Sequence, residues 1–120
     1  MTRDAARLLA TLKSLPVGVI VVDEADRVVA WNERAEEFID CVGRPELFAG
    51  MTLGEAHADA SRRGMLAMVE RLREGRRFPC KSVSGSGREF RVWYNPLMAE
   101  DGEYLGVAQV IEFLASEESR

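Results

Sequence analysis

The stretch Leu15 to Phe38, LPVGVIVVDEADRVVAWNERAEEF, constrains this chain more than any other. It opens on the apolar run Val17-Gly18-Val19-Ile20-Val21-Val22, too short for a buried helix and rich in β-branched residues, which predicts a strand packed on both faces. Asp23-Glu24-Ala25-Asp26 supplies turn chemistry, and Arg27 to Trp31 reads as a second strand. Asn32 is a good helix N-cap, and a helical pattern starts behind it at Ala35 to Phe38. The spacing therefore predicts strand, tight acidic turn, strand, and an immediate step into a helix.

Upstream, residues 2–14 carry Ala5, Leu8, Leu9, Leu12 and Leu15 at helical spacing, with Thr2 as the cap. This amphipathic stripe must be covered, by the domain itself or by a second copy. Downstream, the break at Cys41 to Pro45 leads to Leu47-Phe48-Ala49-Gly50. Thr52 and Glu55 then have capping-box spacing for a helix running to about Arg73, with Met65, Met68, Val69 and Leu72 inward and Gly75 ending it. The last third alternates as antiparallel strands do: Phe78 to Val83, a turn at Ser84 to Gly87, Arg88 to Pro96, a turn at Glu100 to Glu103, and Tyr104 to Phe113. On the middle strand Phe90, Val92 and Tyr94 share one face, and Arg91 and Trp93 the other. The expected architecture is α+β: a five-stranded antiparallel sheet with helices on one face, preceded by the N-terminal helix. The expected division is a dimerisation or linker helix over 1–14, the core domain over 15–114, and the start of a connector over 115–120.

The 120 residues suffice for one domain with a real core. No apolar segment nears the ~20 residues of a membrane helix, and no signal-peptide core is present, so the expectation is a cytoplasmic protein that meets no membrane. Two cysteines, Cys41 and Cys80, make neither a disulfide framework nor a CxxC site. A net charge of −4 argues against nucleic-acid contact, and the arginines at 62–63 and 71–77 read as a solvated helix face. No set of residues has the makings of a catalytic constellation, and the glycines match no phosphate-loop or dinucleotide pattern, so no enzyme is expected.

The apolar strand ending in Asp23, the step Trp31-Asn32, and Ala35-Glu36 behind it resemble the opening of a PAS domain. The resemblance continues through His57 and Ser61 at the start of the long helix, Leu72 to Gly75, Arg91 to Leu97, and Asp101-Gly102-Glu103-Tyr104-Leu105-Gly106 before the last strand. It thus covers about residues 15–113 and departs in two places. Ala58 and Asp59 stand where prolines are usual, and Glu112-Phe113-Leu114 lacks the Asp-Ile-Thr-like closing signature. Membership would imply a sensory signal-input domain of a larger signalling or transcription-regulatory protein. It would be a homodimer fused to an effector (kinase, cyclase or DNA-binding) and would hold a small-molecule ligand between sheet and long helix. A ligand-free homodimerisation module is the alternative.

The lone His57 raises a further alternative, a heme-based gas or redox sensor, since some PAS domains with a His near this helix bind heme. On a continuous helix His57, Ser61, Gly64 and Met68 fall along one edge of the apolar face. His57 is then the axial ligand to the iron of a b-type heme. Gly64 leaves room for a planar group at a cost of ~1 kcal/mol relative to Ala. Met98 and Cys80 are the candidates for a second, soft ligand, and Trp93 for an aromatic lining the cavity. The plainer reading makes His57 a half-exposed cap, Met68 and Cys80 packing residues and Trp93 a sheet aromatic. The Asn-Cys-Arg-like motif of flavin photosensors is absent. Heme ligation by His57 is expected to give purified protein supplied with hemin a sharp Soret band, lost or altered in His57→Ala. A spectrum of Trp and Tyr alone, with hemin bound weakly and alike by both proteins, contradicts it.

Overall fold

The structure, a computed structural model, describes residues 2–43, 46–52 and 62–114. Helix α1 (Arg3–Ser14) starts where the Ala5 amide donates to Thr2 Oγ1 at 3.0 Å, with Asp4 in its first turn and Lys13 in its last, each favourably placed in the helix dipole. Strands β1 (Gly18–Asp23) and β2 (Val28–Trp31) follow. The turn between them is closed by Asp23, whose Oδ1 accepts from the amides of Ala25 (2.9 Å) and Arg27 (3.0 Å). Asp26 takes the left-handed conformation there, φ 63°, which aspartate tolerates better than most residues. Helix α2 (Glu33–Cys41) comes next, and α3 (Arg62–Arg73) leads into β3 (Phe78–Gly85), β4 (Arg88–Met98) and β5 (Tyr104–Phe113).

The five strands form one antiparallel sheet, as the alternation predicts, and they lie in the order β2-β1-β5-β4-β3. Its central strand, β5, is the last in the chain and pairs with the first, Gly18 opposite Ile111 through to Asp23 opposite Gly106. At that end Gly106 has φ 138°, and a Cβ on it would collide with the Val22 carbonyl oxygen. Only glycine fits there. Residues 50–52 extend the β2 edge: Val28 donates to Met51 O and Gly50 to Val28 O, both at 2.8 Å, and Thr52 bridges to Arg27.

β2 starts one residue later than expected, at Val28, and two further strand limits differ from expectation by two residues. β3 continues through Ser84 and Gly85, which pair with Glu89 and Arg88, so the hairpin turn shrinks to Ser86-Gly87. Both turn residues have positive φ (50° and 74°), the conformation that suits the twist of a two-residue hairpin. β4 runs past Pro96 to Met98 because Pro96 and Leu97 still lie opposite Val107 and Gly106.

The core lies between one sheet face and the two helices α2 and α3. Ala35, Phe38 and Ile39 come from α2, and Met68, Val69 and Leu72 from α3. They meet Ile20, Val22, Val28, Phe90, Val92, Tyr94, Val107 and Ile111 of the sheet. Phe38 meets Phe90 edge-to-face at 5.0 Å, and Phe90 meets Phe113 likewise at 5.1 Å. Arg34 and Arg88 lie over the Phe113 ring at 5.1 and 5.2 Å. α1 contributes nothing to this core: none of its residues is buried, and Leu8 is 71% exposed. Its stripe is therefore not covered by its own domain.

Gly106→Ala is expected to destabilise the fold by more than the ~1–3 kcal/mol of backbone strain alone, because the new methyl also meets backbone. Gly102→Ala, at φ 90° but with open space around the added carbon, is expected to cost only the strain. Urea unfolding of the two variants checks this. Equal losses would contradict the close approach of β5 to β1.

Candidate functional site

The first feature of the candidate site is Asn32. It is 3% exposed and sits where β2 ends and α2 begins. Its Oδ1 accepts from the Ala35 amide (3.1 Å), the cap expected from sequence, and also from the Val19 amide (3.0 Å). Its Nδ2 donates to the carbonyls of Leu12 and Val17, both at 2.9 Å, and its own amide donates to Val19 O at 3.2 Å. One side chain thus ties the last turn of α1, the entry to β1 and the start of α2. Gly18 lets α2 come this close: a Cβ there would lie 3.1 Å from the Ala35 nitrogen. Trp31, just before, donates from Nε1 to Glu36 Oε1 at 2.8 Å.

The second feature is the helix-side face of β4 and β5. Along β5 the inward positions read Val107, Gln109, Ile111. Gln109 lies opposite Tyr94 on one side and Ile20 on the other and is 4% exposed. Its Nε2 has no hydrogen-bond partner. Among the described residues Asn32 and Gln109 are the only buried polar side chains. The sequence reading passed over Gln109, although a lone amide between Val107 and Ile111 breaks the apolar alternation visibly.

A third group joins α3 to the β1–β2 turn. Arg73 donates to Glu24 O at 2.9 Å and to Asp26 Oδ2 at 3.1 Å, and its guanidinium lies over the Tyr104 ring at 5.1 Å. Burial raises the Tyr104 phenol above its ordinary range. Arg73 opposes that rise, and Asp26, Asp23 and Glu24 add to it, so the hydroxyl stays protonated at neutral pH. No pattern in the sequence pointed to this contact, which joins residues far apart in the chain.

Of the six residues singled out from sequence, His57 lies outside the described residues, as do the capping-box Glu55 and Ser61. Met68 is buried beneath α3 and shares the core with Tyr94. Gly64, four residues earlier, is exposed, with nothing within 4 Å of where its Cβ would sit. Met98 is 39% exposed, and its methyl lies 3.5 Å from the position of a Cβ on Gly75, over the end of α3. Cys80 is partly buried on the edge strand β3, at a register shift between Phe78 and Lys81. Trp93 faces away from the helices, opposite Val110 and between the inward Val92 and Tyr94. Met68 alone of the five described residues belongs to the buried core, so they do not gather into one pocket. Among the described residues no group of three or more His, Cys, Asp or Glu side chains could hold a metal, and no helix is long and apolar enough to cross a membrane.

Asn32→Asp keeps the cap acceptor but replaces two donated hydrogen bonds by an anion facing two carbonyls. A loss of about 2–4 kcal/mol is expected in urea unfolding, against about 1 kcal/mol or less for Thr2→Ala at the exposed α1 cap. Equal losses would show that Asn32 acts only as a helix cap.

The family model described as the PAS fold matches residues 6–111. Among solved structures, the chain resembles a C-terminal domain from Streptococcus mutans with 18% identity and a TM-score of 0.75, over 91% of this chain and 84% of that one. It also resembles the PAS domain of Bordetella pertussis BvgS (18%, TM-score 0.68, 98% and 91%). A third similar structure is a sensory box sensor histidine kinase from Vibrio cholerae (17%, TM-score 0.59, 93% and 92%). No curated protein matches the sequence.

Proposed function

The chain belongs to the PAS family, and on that premise we propose that it is a signal-input domain of a larger cytoplasmic signalling or transcription-regulatory protein. It holds a small molecule between α3 and the helix-side face of the sheet and relays occupancy through its termini to a fused effector. The observation that carries this reading is the extent of the family match, residues 6–111, which takes in most of α1 and all of the sheet except the last two residues of β5. The similarity to a sensor histidine kinase structure is consistent with such a role.

The geometry supplies a route. β5 lies against α3 through its core residues and against β1 through its backbone, and β1 is bonded to Asn32, which holds the last turn of α1. A ligand that binds one arrangement of this route more tightly than another shifts the population by that difference in affinity, and by no more. α1 is the outlet at one end and the connector after Leu114 the outlet at the other. The exposed Leu8, Leu9 and Leu15 are covered by a second copy, which makes the domain a homodimer. Beside them a groove of about 170 Å³ is lined by Leu9, Leu12, Lys13, Ala30 and Trp31.

Thermal-shift screening of a metabolite library tests the sensing role. At a hundredfold excess over Kd a binder adds ~2.7 kcal/mol, a rise of roughly 10 °C for a domain of this size. Met68→Trp, which places a larger side chain between α3 and the sheet, is expected to abolish the rise. A library without any binder would leave the dimerisation module as the better reading. The dimer is tested by light scattering: Leu8→Asp with Leu9→Asp is expected to give monomers, and full dimerisation of that variant contradicts an interface on α1.

A further inference from the structure

The two buried polar side chains of the described residues are in opposite situations. Asn32 uses both ends of its amide, accepting twice and donating twice. Gln109, equally buried, leaves its Nε2 with no partner. Buried amides are almost always hydrogen-bonded, and an unpaired one costs stability that a Val, Ile or Met at the same place would not. Nothing in the strand requires an amide here: the neighbouring inward positions are Val107 and Ile111, and the cross-strand neighbours are Ile20 and Tyr94.

We infer that Gln109 is the recognition residue of the proposed ligand site and donates through Nε2 to an uncharged ligand whose apolar body carries one carbonyl or ring-nitrogen acceptor. The inference rests on the ligand-binding reading above and adds the ligand's chemistry to it. The donor end of the amide calls for an acceptor. Among the described residues no charged side chain is buried, so an ionic ligand would enter without a counter-charge and at a heavy desolvation cost. The apolar surroundings, Ile20, Val107, Ile111 and the ring of Tyr94, accept a hydrocarbon or aromatic body.

Two matched pairs of probes isolate the acceptor: quinoline against naphthalene, and acetophenone against α-methylstyrene. Each is titrated into ¹⁵N-labelled protein and followed on the backbone and on the Gln109 side-chain amide. In at least one pair the acceptor member is expected to bind about tenfold tighter, a factor worth about 1.4 kcal/mol, and to shift the Gln109 Nε2 protons. Gln109→Met, close in volume, is expected to erase the preference and to raise the melting temperature of the ligand-free protein. Equal binding of both members overturns the role of Gln109 while leaving the site beneath α3 standing. A preference kept in Gln109→Met, or a lower melting temperature for that variant, also overturns it. If none of the four probes binds at its solubility limit, the inference falls together with the ligand-binding reading.

Discussion

One buried amide joins the last turn of the N-terminal helix to the sheet and to the helix that follows it. Asn32 accepts from Val19 and Ala35 and donates to Leu12 and Val17, so a single residue fixes where α1 ends, how β1 enters the sheet and where α2 begins. A buried amide is stable only when its donor and acceptor ends are both used. That requirement helps set the relative positions of three elements, of which α2 and β1 also pack together in the core while α1 does not. α1 buries no side chain of its own, so its hold on the domain is largely this polar one. The helix is anchored at its C-terminal turn and free along its apolar face.

The same logic sets the path from core to terminus. The central strand is the last in the chain and lies beside the first, a pairing that the missing Cβ of Gly106 permits. A change felt by β5 under α3 therefore meets β1 directly, and β1 meets Asn32. At the other end Phe113 is held edge-on to Phe90 and flanked by Arg34 and Arg88, which fixes the point from which the chain leaves the sheet. The two ends of the domain are thus both tied to the strand pair β1–β5.

Much of this architecture was legible in the sequence, because local chemistry and tertiary need agree there. The β-branched run, the Asp23 turn and the Asn32 cap are each determined within a few residues, and β5 has the limits that the alternation gives. The hairpin at Ser86-Gly87 is tighter than its composition implied, since cross-strand pairing carried Ser84 and Gly85 into β3. The candidate site was less legible. Met68 is in the core as its spacing requires, but helical or strand periodicity cannot say which buried side chains share a pocket, and Trp93 lies on the far face. The contact of Arg73 with the β1–β2 turn spans 47 residues and leaves no local mark. The extra bonds of Asn32 to Leu12 and Val17 likewise follow from three-dimensional closure, whereas its role as a cap follows from the chain alone.

The most direct test of the central claim is native-state hydrogen exchange at the amides of Val19 and Ala35, the two donors to Asn32 Oδ1. If Asn32 locks α2 and β1 into the cooperative core, both amides are expected to exchange only through global unfolding, with the same protection as the core amides of β5. Exchange of Val19 and Ala35 at the faster rate of the exposed helix α1 would contradict this. Asn32 would then be a local cap, and the route from sheet to helix would have no rigid joint.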